Sequence, residues 1–380
     1  MRLSRRSEHE TRQNALSVAL SSRRAAGLPV IDLTVSNPTT AGVVYDQDAI
    51  TRALGDGAVL TYEPAPFGLD SARKVVAQYN DVDSRRVVLT ASTSEAYAFL
   101  WKALCDPDDE VLVSAPSYPL FDQLAAIEGV RLVPYRLAYD GAWHLDASSL
   151  ARTERTRAVL TVSPNNPTGN SLTRAELAAL CALGLPVIAD EVFAEYTFRD
   201  SPDRVVCAAR EASGSLVISL GGLSKLAGLP QMKLALMVIG GPYALADPLL
   251  ERLEWIADAF LSVGAPVQHA LPELIRHGAR DAIRARLRAN LDRLRATLAN
   301  SAATVLDVEA GWYAIARLPA TRSEHEWVMA LLDRGVYAHP GHFFDMESEP
   351  YLVLSLLTPE RDLERGAQEI VAMLDLPRRK

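Results

Sequence analysis

A series of short apolar, β-branched runs separated by helical stretches constrains this chain more than any other feature. VVLT (87–90), VLVS (111–114), AVLTV (158–162), PVIAD (186–190) and LVISL (216–220) each read as a buried strand. Strand alternating with helix is the signature of a mostly parallel sheet, whose ligands bind in the crevice beyond the carboxyl ends of its strands. The residues just past each run are therefore the ones to inspect for chemistry.

The stretch from Ser215 to Gly241 carries the sharpest of them. Its strand ends in a Gly-Gly loop that delivers Lys225, and a second cation, Lys233, follows eight residues on. Alone, such a lysine is usually solvated surface, and the neighbouring segments are what support the other reading. After VVLT comes Ser92-Thr93-Ser94 at a helix start, where free N–H groups make an anion site, although plain N-capping accounts for one of the hydroxyls. Tyr118 lies in a Pro-flanked loop behind Ser114. Asn165 and Asn166 precede a Pro-Thr-Gly turn, which by itself is only turn chemistry. Asp190 and Glu191 end the next strand, where an acid also commonly caps the following element. An aromatic, an amide, a carboxylate, a lysine and a hydroxyl-lined helix start would all face one crevice if the strands share one sheet. A ligand that needs this set is an aromatic aldehyde with a ring nitrogen, a ring hydroxyl and a phosphate, namely pyridoxal phosphate.

Composition bounds the alternatives. A chain of 380 residues, 49% hydrophobic and 23% charged, suits a globular enzyme of two domains. A net charge of −8 offers no global basic field for nucleic acid or anionic membranes. The basic clusters at 2–6, 280–295 and 378–380 read as solvated faces. Cys105, Cys181 and Cys207 are widely spaced among apolar neighbours, so they read as reduced thiols of a cytoplasmic protein rather than a disulfide frame or a metal site. No run of eighteen apolar residues predicts a membrane span. Glu8 and Glu10 argue against a transit peptide, and the N-terminus is expected to form a helical arm packing through Asn14, Leu16, Val18 and Leu20.

Further along, helix is expected from Pro248 to about Gly278 with a step near Pro266 and Gln268, then from Ala279 to Asn300. Strands near Val305–Leu318 and Tyr351–Leu357 and a last helix to Leu374 complete the chain. The expected organisation is an arm at 1–45 belonging to a small domain, a large cofactor-binding domain at 46–250, and a linking helix with the rest of the small domain at 251–380.

The segments SPNNPTG, ADEVFAEY and LSK, in that order, resemble the class I/II aminotransferases of pyridoxal-phosphate fold type I, and the resemblance covers nearly the whole chain. It implies an α/β fold with a three-layer large domain around a mostly parallel sheet, plus a smaller α+β domain. By the same resemblance Lys225 forms the Schiff base with the cofactor and later moves protons, and Asp190 pairs with the ring nitrogen. Asn166 donates to the ring's phenolic oxygen and Tyr118 stacks on the ring. Ser92, Thr93, Ser94, Ser224 and Lys233 hold the phosphate, with Tyr62 reaching in from the second subunit of a homodimer. Ser36, Asn37, Asn166 and His342 are candidates for the substrate, an amino donor and a 2-oxo acid acceptor.

The departures bear on the reaction. Lys233 stands where the family usually has Arg, Phe193 where many members have Tyr, and Gly222 where a serine is usual. In YLVLSLLTPE, Val353 occupies the place of the Arg that clamps a substrate α-carboxylate. Either another cation holds the carboxylate, with Arg317, His339 and His342 the candidates against a surface position for Arg317 and a loop pair of histidines without a substrate role, or the substrate lacks a carboxylate at that place. The leading reading is an aminotransferase. A lyase, cyclase or epimerase using the same cofactor is the alternative. A ligand-sensing regulator would need a DNA-binding domain that the segment ahead of the crevice motifs is too short to form.

Overall fold

The computed structural model describes residues 4–7, 14–212, 214–261, 263–347 and 350–374. The basic cluster at 378–380, part of that at 2–6, and Glu8 and Glu10 lie outside these residues. Fourteen strands are present among them: β1 (Ile31–Asp32), β2 (Val87–Thr90), β3 (Glu110–Ala115), β4 (Arg131–Tyr139), β5 (Trp143–Leu145), β6 (Thr156–Val162), β7 (Val187–Asp190), β8 (Val217–Gly222), β9 (Ala235–Gly240), β10 (Thr304–Val305), β11 (Tyr313–Arg317), β12 (Val336–Tyr337), β13 (His339–Pro340) and β14 (Tyr351–Ser355).

Eight of them form one sheet in the order β2-β9-β8-β7-β6-β3-β4-β5. The neighbours from β8 through β4 pair in parallel. β9 runs antiparallel to both β2 and β8, and β5 folds back on β4 as a hairpin. The period of two along each strand splits the side chains between two layers. Val88, Val111, Val113, Ala158, Leu160, Val162 and Ile188 pack on one face with α4 (the fourth α-helix, Thr93–Leu104) and the helix Tyr243–Phe260. Val87, Leu89, Leu112, Val159, Val187 and Ala189 face the other way, into two further clusters. A sheet covered on both faces needs apolar residues at every strand position, which is why these segments read as continuous apolar runs rather than alternating ones.

The second core gathers Leu16, Leu20, Leu33 and Ala41 from the N-terminal segment with Ile283, Leu287, Leu291, Trp312, Trp327, Leu352, Leu354 and Ile370 from the C-terminal one. Its sheet is antiparallel, β10-β11-β14-β13, and β1 pairs in parallel with β12. The architecture is thus α/β with a large, mostly parallel sheet and a small antiparallel one.

Local departures from expectation have local causes. The first long helix, Ala15–Ala25, is capped by Asn14, which accepts from Ser17 N, and buries Leu16 and Leu20. Val18, two residues from each of them, points to the opposite side of the helix and is 48% exposed, so it is not part of the packing face. The expected two-part helix from Pro248 is found as Tyr243–Phe260 and Ala265–His277, with its step ahead of Pro266 and Gln268 instead of at them. Gln268, fully buried, accepts from Leu69 N at 2.6 Å and donates to Val263 O, fastening that step to the start of the helix Asp70–Asn80. Among the described residues no helix is long and apolar enough to cross a membrane.

Candidate active site

Register places the chemistry. Asp190 is the last residue of β7, opposite Val162 of β6 and Leu220 of β8. Asn166 lies four residues past the end of β6 and Lys225 three past the end of β8, so the three share the carboxyl edge of adjacent parallel strands. Tyr118 lies beyond the end of β3, the next strand over.

Parity fixes which layer each strand-end side chain meets. Asp190 is two residues on from Ile188 and so points to the α4 side, where the Tyr97 hydroxyl donates to its Oδ2 at 2.6 Å. The backbone N–H of Val192 donates to Oδ1 at 3.1 Å. Burial raises the Asp190 carboxyl above the ordinary range, against the lowering effect of these two donors and of Lys225. Tyr97 is 2% exposed and its phenol is raised well above its ordinary value by burial and by Asp190. Sequence reading missed this residue. Its only signal was a tyrosine one turn into the helix that Ser92-Thr93-Ser94 opens.

Glu191 has the opposite parity and serves the other layer. It accepts from Ala208 N at 2.7 Å and lines a cavity of about 320 Å³ with Tyr79, Glu195, Cys207, Ser219 and Gly222. Loss of water around its carboxyl raises it to about 8, with the Ala208 N–H and Ser219 acting the other way.

Lys225 sits in the short helix Leu223–Leu226. Its Nζ lies 4.5 Å from the ring centre of Trp312 and 5.6 Å from that of Phe193. Burial lowers the amine to about 8, and Asp190 opposes that shift. The Tyr196 hydroxyl donates to the Lys225 carbonyl, fixing the backbone that carries the amine.

The helix start at Ser92 does two jobs. Ser92 Oγ accepts from Glu95 N at 3.1 Å, and Glu95 Oε2 accepts from Ala91 N at 2.6 Å. The Ser92 hydroxyl is thus the N-cap, as the plainer sequence reading allowed, and the anion-binding capacity of this turn rests on Thr93, Ser94 and the helix dipole. Lys233 is exposed and adopts a left-handed backbone, φ 52°, after the turn Pro230–Met232, and Ser224 is half-buried. Tyr118 is 42% exposed and meets Phe121 edge to face. Tyr62 is 81% exposed. Asn166 is buried with its Oδ1 lacking a partner among the described residues, whereas Asn165 donates to Pro116 O and to Thr168 Oγ1. A buried carboxylate, a buried amide with an unpartnered oxygen and a half-buried amine at one sheet edge fit a ligand that presents a cationic ring nitrogen, a ring hydroxyl and an electrophilic carbon.

The remaining candidates are placed as follows. Ser36 hydrogen-bonds the Tyr313 phenol, which burial raises and which lies near Tyr118. Asn37 Oδ1 accepts from Thr39 N and Oγ1, an Asx turn that occupies its acceptor. His342 is held by Glu324, whose Oε2 takes both its N–H at 3.0 Å and its ring Nδ1 at 2.5 Å. That pair lines a cavity of about 620 Å³ with Arg322, Ser323 and Pro350, a group that includes none of Lys225, Asp190 and Asn166. Arg317 is exposed. His339 lies directly opposite Val353 across β13 and β14, among Tyr337, Phe343 and Phe344, and its imidazole is lowered by burial. Val353 itself is 1% exposed, packed with Leu306, Ile315, Phe344 and Met346.

The family model for aminotransferase class I and II matches residues 29–370, and the chain belongs to this family. Enzymes of this class depend on pyridoxal phosphate. Among characterised relatives, the glutamate–pyruvate aminotransferase of Escherichia coli K12 is 27% identical over 257 residues, 64% of this chain and 63% of its own length. An S-alkyl-thiohydroximate lyase of Arabidopsis thaliana is 27% identical over 243 residues, 60% of this chain and 52% of its own. The chain thus aligns with less than two thirds of the length of these relatives. Among solved structures, alanine aminotransferase of Pyrococcus furiosus superposes with a TM-score of 0.87 at 22% identity, covering 98% of this chain and 99% of that one. Aspartate aminotransferase of Thermus thermophilus with maleate gives 0.80 at 23% identity, covering 98% and 100%.

Proposed function

We propose that this protein is an aminotransferase that moves an amino group between an amino acid or amine and a 2-oxo acid. The observation that carries the reading is the meeting of Lys225, Asp190 and Asn166 at one sheet edge, each buried or half-buried, with Asn166 Oδ1 unpartnered among the described residues. Pyridoxal phosphate, when bound, supplies an aldehyde carbon that takes up amines and a protonated ring that draws electrons from the bond being broken.

The chain's own residues supply the rest. Asp190, already gripped by Tyr97 and Val192 N–H, keeps a negative charge in a dry place and so holds a proton on the ring nitrogen. Asn166 donates to the ring oxygen, and with Phe193 at the neighbouring position the second hydroxyl donor is missing. Tyr118 covers the ring. Thr93, Ser94, Ser224, Lys233 and the dipole of the helix Thr93–Leu104 hold the phosphate, with Ser92 contributing through the cap it forms. Lys225 attaches the cofactor. Once displaced by an incoming amine it is the base that moves a proton, a task for which an amine lowered to about 8 is suited near neutral pH.

The molecule works as a homodimer in the cytoplasm, with Tyr62 of each copy completing the phosphate site of the other and without a nucleic-acid or membrane partner. The division we put forward is 1–45 with 251–380 for the small domain and its linking helix, and 46–250 for the large. The joining of residues 16–41 to residues 283–370 in one core supports it, whereas Leu253, Ile256, Val267 and Leu271 of the linking segment pack with the large sheet. A half-reaction screen tests the reading: the absorbance of the cofactor-loaded protein is followed as single amino acids and amines are added, then as 2-oxo acids are added back. Reversible conversion supports transamination. A 2-oxo or alkene product released without amino transfer would assign a lyase instead.

A further inference from the structure

The seat of the Lys225 amine is aromatic. Trp312 is 0% exposed, directly before β11. Its ring is braced by Tyr196 at 5.3 Å, edge to face, and by Phe193 at 5.6 Å. Its backbone is pinned from both sides, since Gly311 N donates to Tyr196 O and Leu356 N donates to Trp312 O, each at 2.8 Å. The indole face so fixed looks at Lys225 Nζ from 4.5 Å, closer than Phe193 at 5.6 Å. Yet the indole Nε1–H is buried with no hydrogen-bond partner among the described residues. Phenylalanine would fill much of the same core without stranding a donor. What tryptophan offers in exchange is the strongest aromatic face for a cation.

We propose that Trp312 is a positioning residue for Lys225: its indole face, with Phe193 beside it, seats the free ammonium and keeps it next to Asp190 whenever the amine is not attached to the cofactor. This rests on the reading of Lys225 as the reactive amine. A four-carbon side chain released in mid-reaction has many rotamers, and one that strays must be brought back before it can move a proton. The seat selects one location for it. The charged group acting on the amine is Asp190, and the hydroxyls around the pair are the phenols of Tyr97 and Tyr118 at Asp190 and of Tyr196 at the Lys225 carbonyl. None of these is carried by the strand that follows Trp312, but Tyr196 packs edge to face on the indole, so the indole is varied by fluorination, which keeps that contact.

The test keeps the shape of the ring and changes only its face. Protein is produced with tryptophan, 5-fluorotryptophan and 5,7-difluorotryptophan, each fluorine weakening the attraction for a cation. The titration of Lys225 in cofactor-free protein is read from the pH dependence of trace acetylation of its peptide. The same series in Trp312→Phe controls for the other tryptophans. The Lys225 pKa falls stepwise with fluorination, by about half a unit across the series, and does not respond in Trp312→Phe. An unchanged pKa across the series, or an equal response in Trp312→Phe, overturns the proposal. Attachment of cofactor at another residue would sink the reading of Lys225 as the reactive amine, while the titration series still reports on the seat.

Discussion

The Tyr97 hydroxyl donates to Asp190 at 2.6 Å from a helix that also presents its N-terminus to the crevice, so one element supports both the carboxylate and the anion site. Removing the hydroxyl leaves a buried carboxylate with one fewer donor, raises it further and weakens its hold on a ring proton. Tyr97→Phe should lower the single-turnover rate about tenfold, in line with a hydrogen bond to a charged group worth about 1.5 kcal/mol. Asp190→Asn, which removes the charge itself, should cost several orders of magnitude with modest loss of cofactor. An Asp190→Asn protein with most of its activity would remove the electron-withdrawing role assigned to this carboxylate.

Val353 makes the prediction about substrate. It is covered by Leu306, Ile315, Phe344 and Met346, and its strand neighbour His339 is pushed toward the neutral form, so this wall offers an anion no charge. A carboxylate pressed there without a partner would cost several kcal/mol. Aspartate or phenylalanine with 2-oxoglutarate should therefore react weakly, and an amine lacking the carboxylate, compared with its amino acid as kcat/KM, should be preferred. Efficient turnover of aspartate or phenylalanine, unaffected by replacing Arg317, His339 or His342, contradicts this.

Tyr62, 81% exposed on the single chain, is assigned to the phosphate site of a second copy. Sedimentation at micromolar concentration should show a dimer, and Tyr62→Phe should weaken cofactor binding without dissociating it. A fully active monomer would leave Tyr62 without a role.

Glu191 gives a pH signature. Its carboxyl is raised to about 8 in the folded chain, so the folded state holds a proton that the unfolded state gives up above about 4.3. The stability this proton provides is fully present below that value and is lost as pH rises toward 8, by at most about 1.4 kcal/mol per pH unit. Glu191→Gln keeps an acceptor for Ala208 N and removes the titration. Urea unfolding between pH 5 and 8 should show a flatter stability profile for Glu191→Gln than for the parent, and parallel profiles would show that Glu191 is ionised throughout.

Five of the eight strands of the large sheet, β2, β3, β6, β7 and β8, were legible because buried strands leave uninterrupted apolar runs, whereas β4, whose residues are mostly exposed or half-buried, and its hairpin partner β5 leave no such run. What was not legible depends on contacts between distant segments. Nothing near Tyr97 announces that it meets Asp190, and nothing in GWYAIARLP announces that Trp312 faces Lys225. Val18 is grouped with Leu16 and Leu20 in the expected packing face, although the helical period puts those two on one face and Val18 on the other. The antiparallel course of β9 was hidden because both of its faces are covered, like those of its parallel neighbours. His342 drew notice as a loop histidine, but Glu324, distant in sequence, claims it.

The central claim is that Lys225 is the amine that attaches the cofactor, and borohydride reduction of cofactor-loaded protein followed by peptide mass spectrometry tests it most directly. The account predicts one reduced adduct, on the peptide containing Lys225, and none in Lys225→Ala. An adduct on Lys233 or another lysine, or a Lys225→Ala protein that still turns over at near-normal rate, would contradict it.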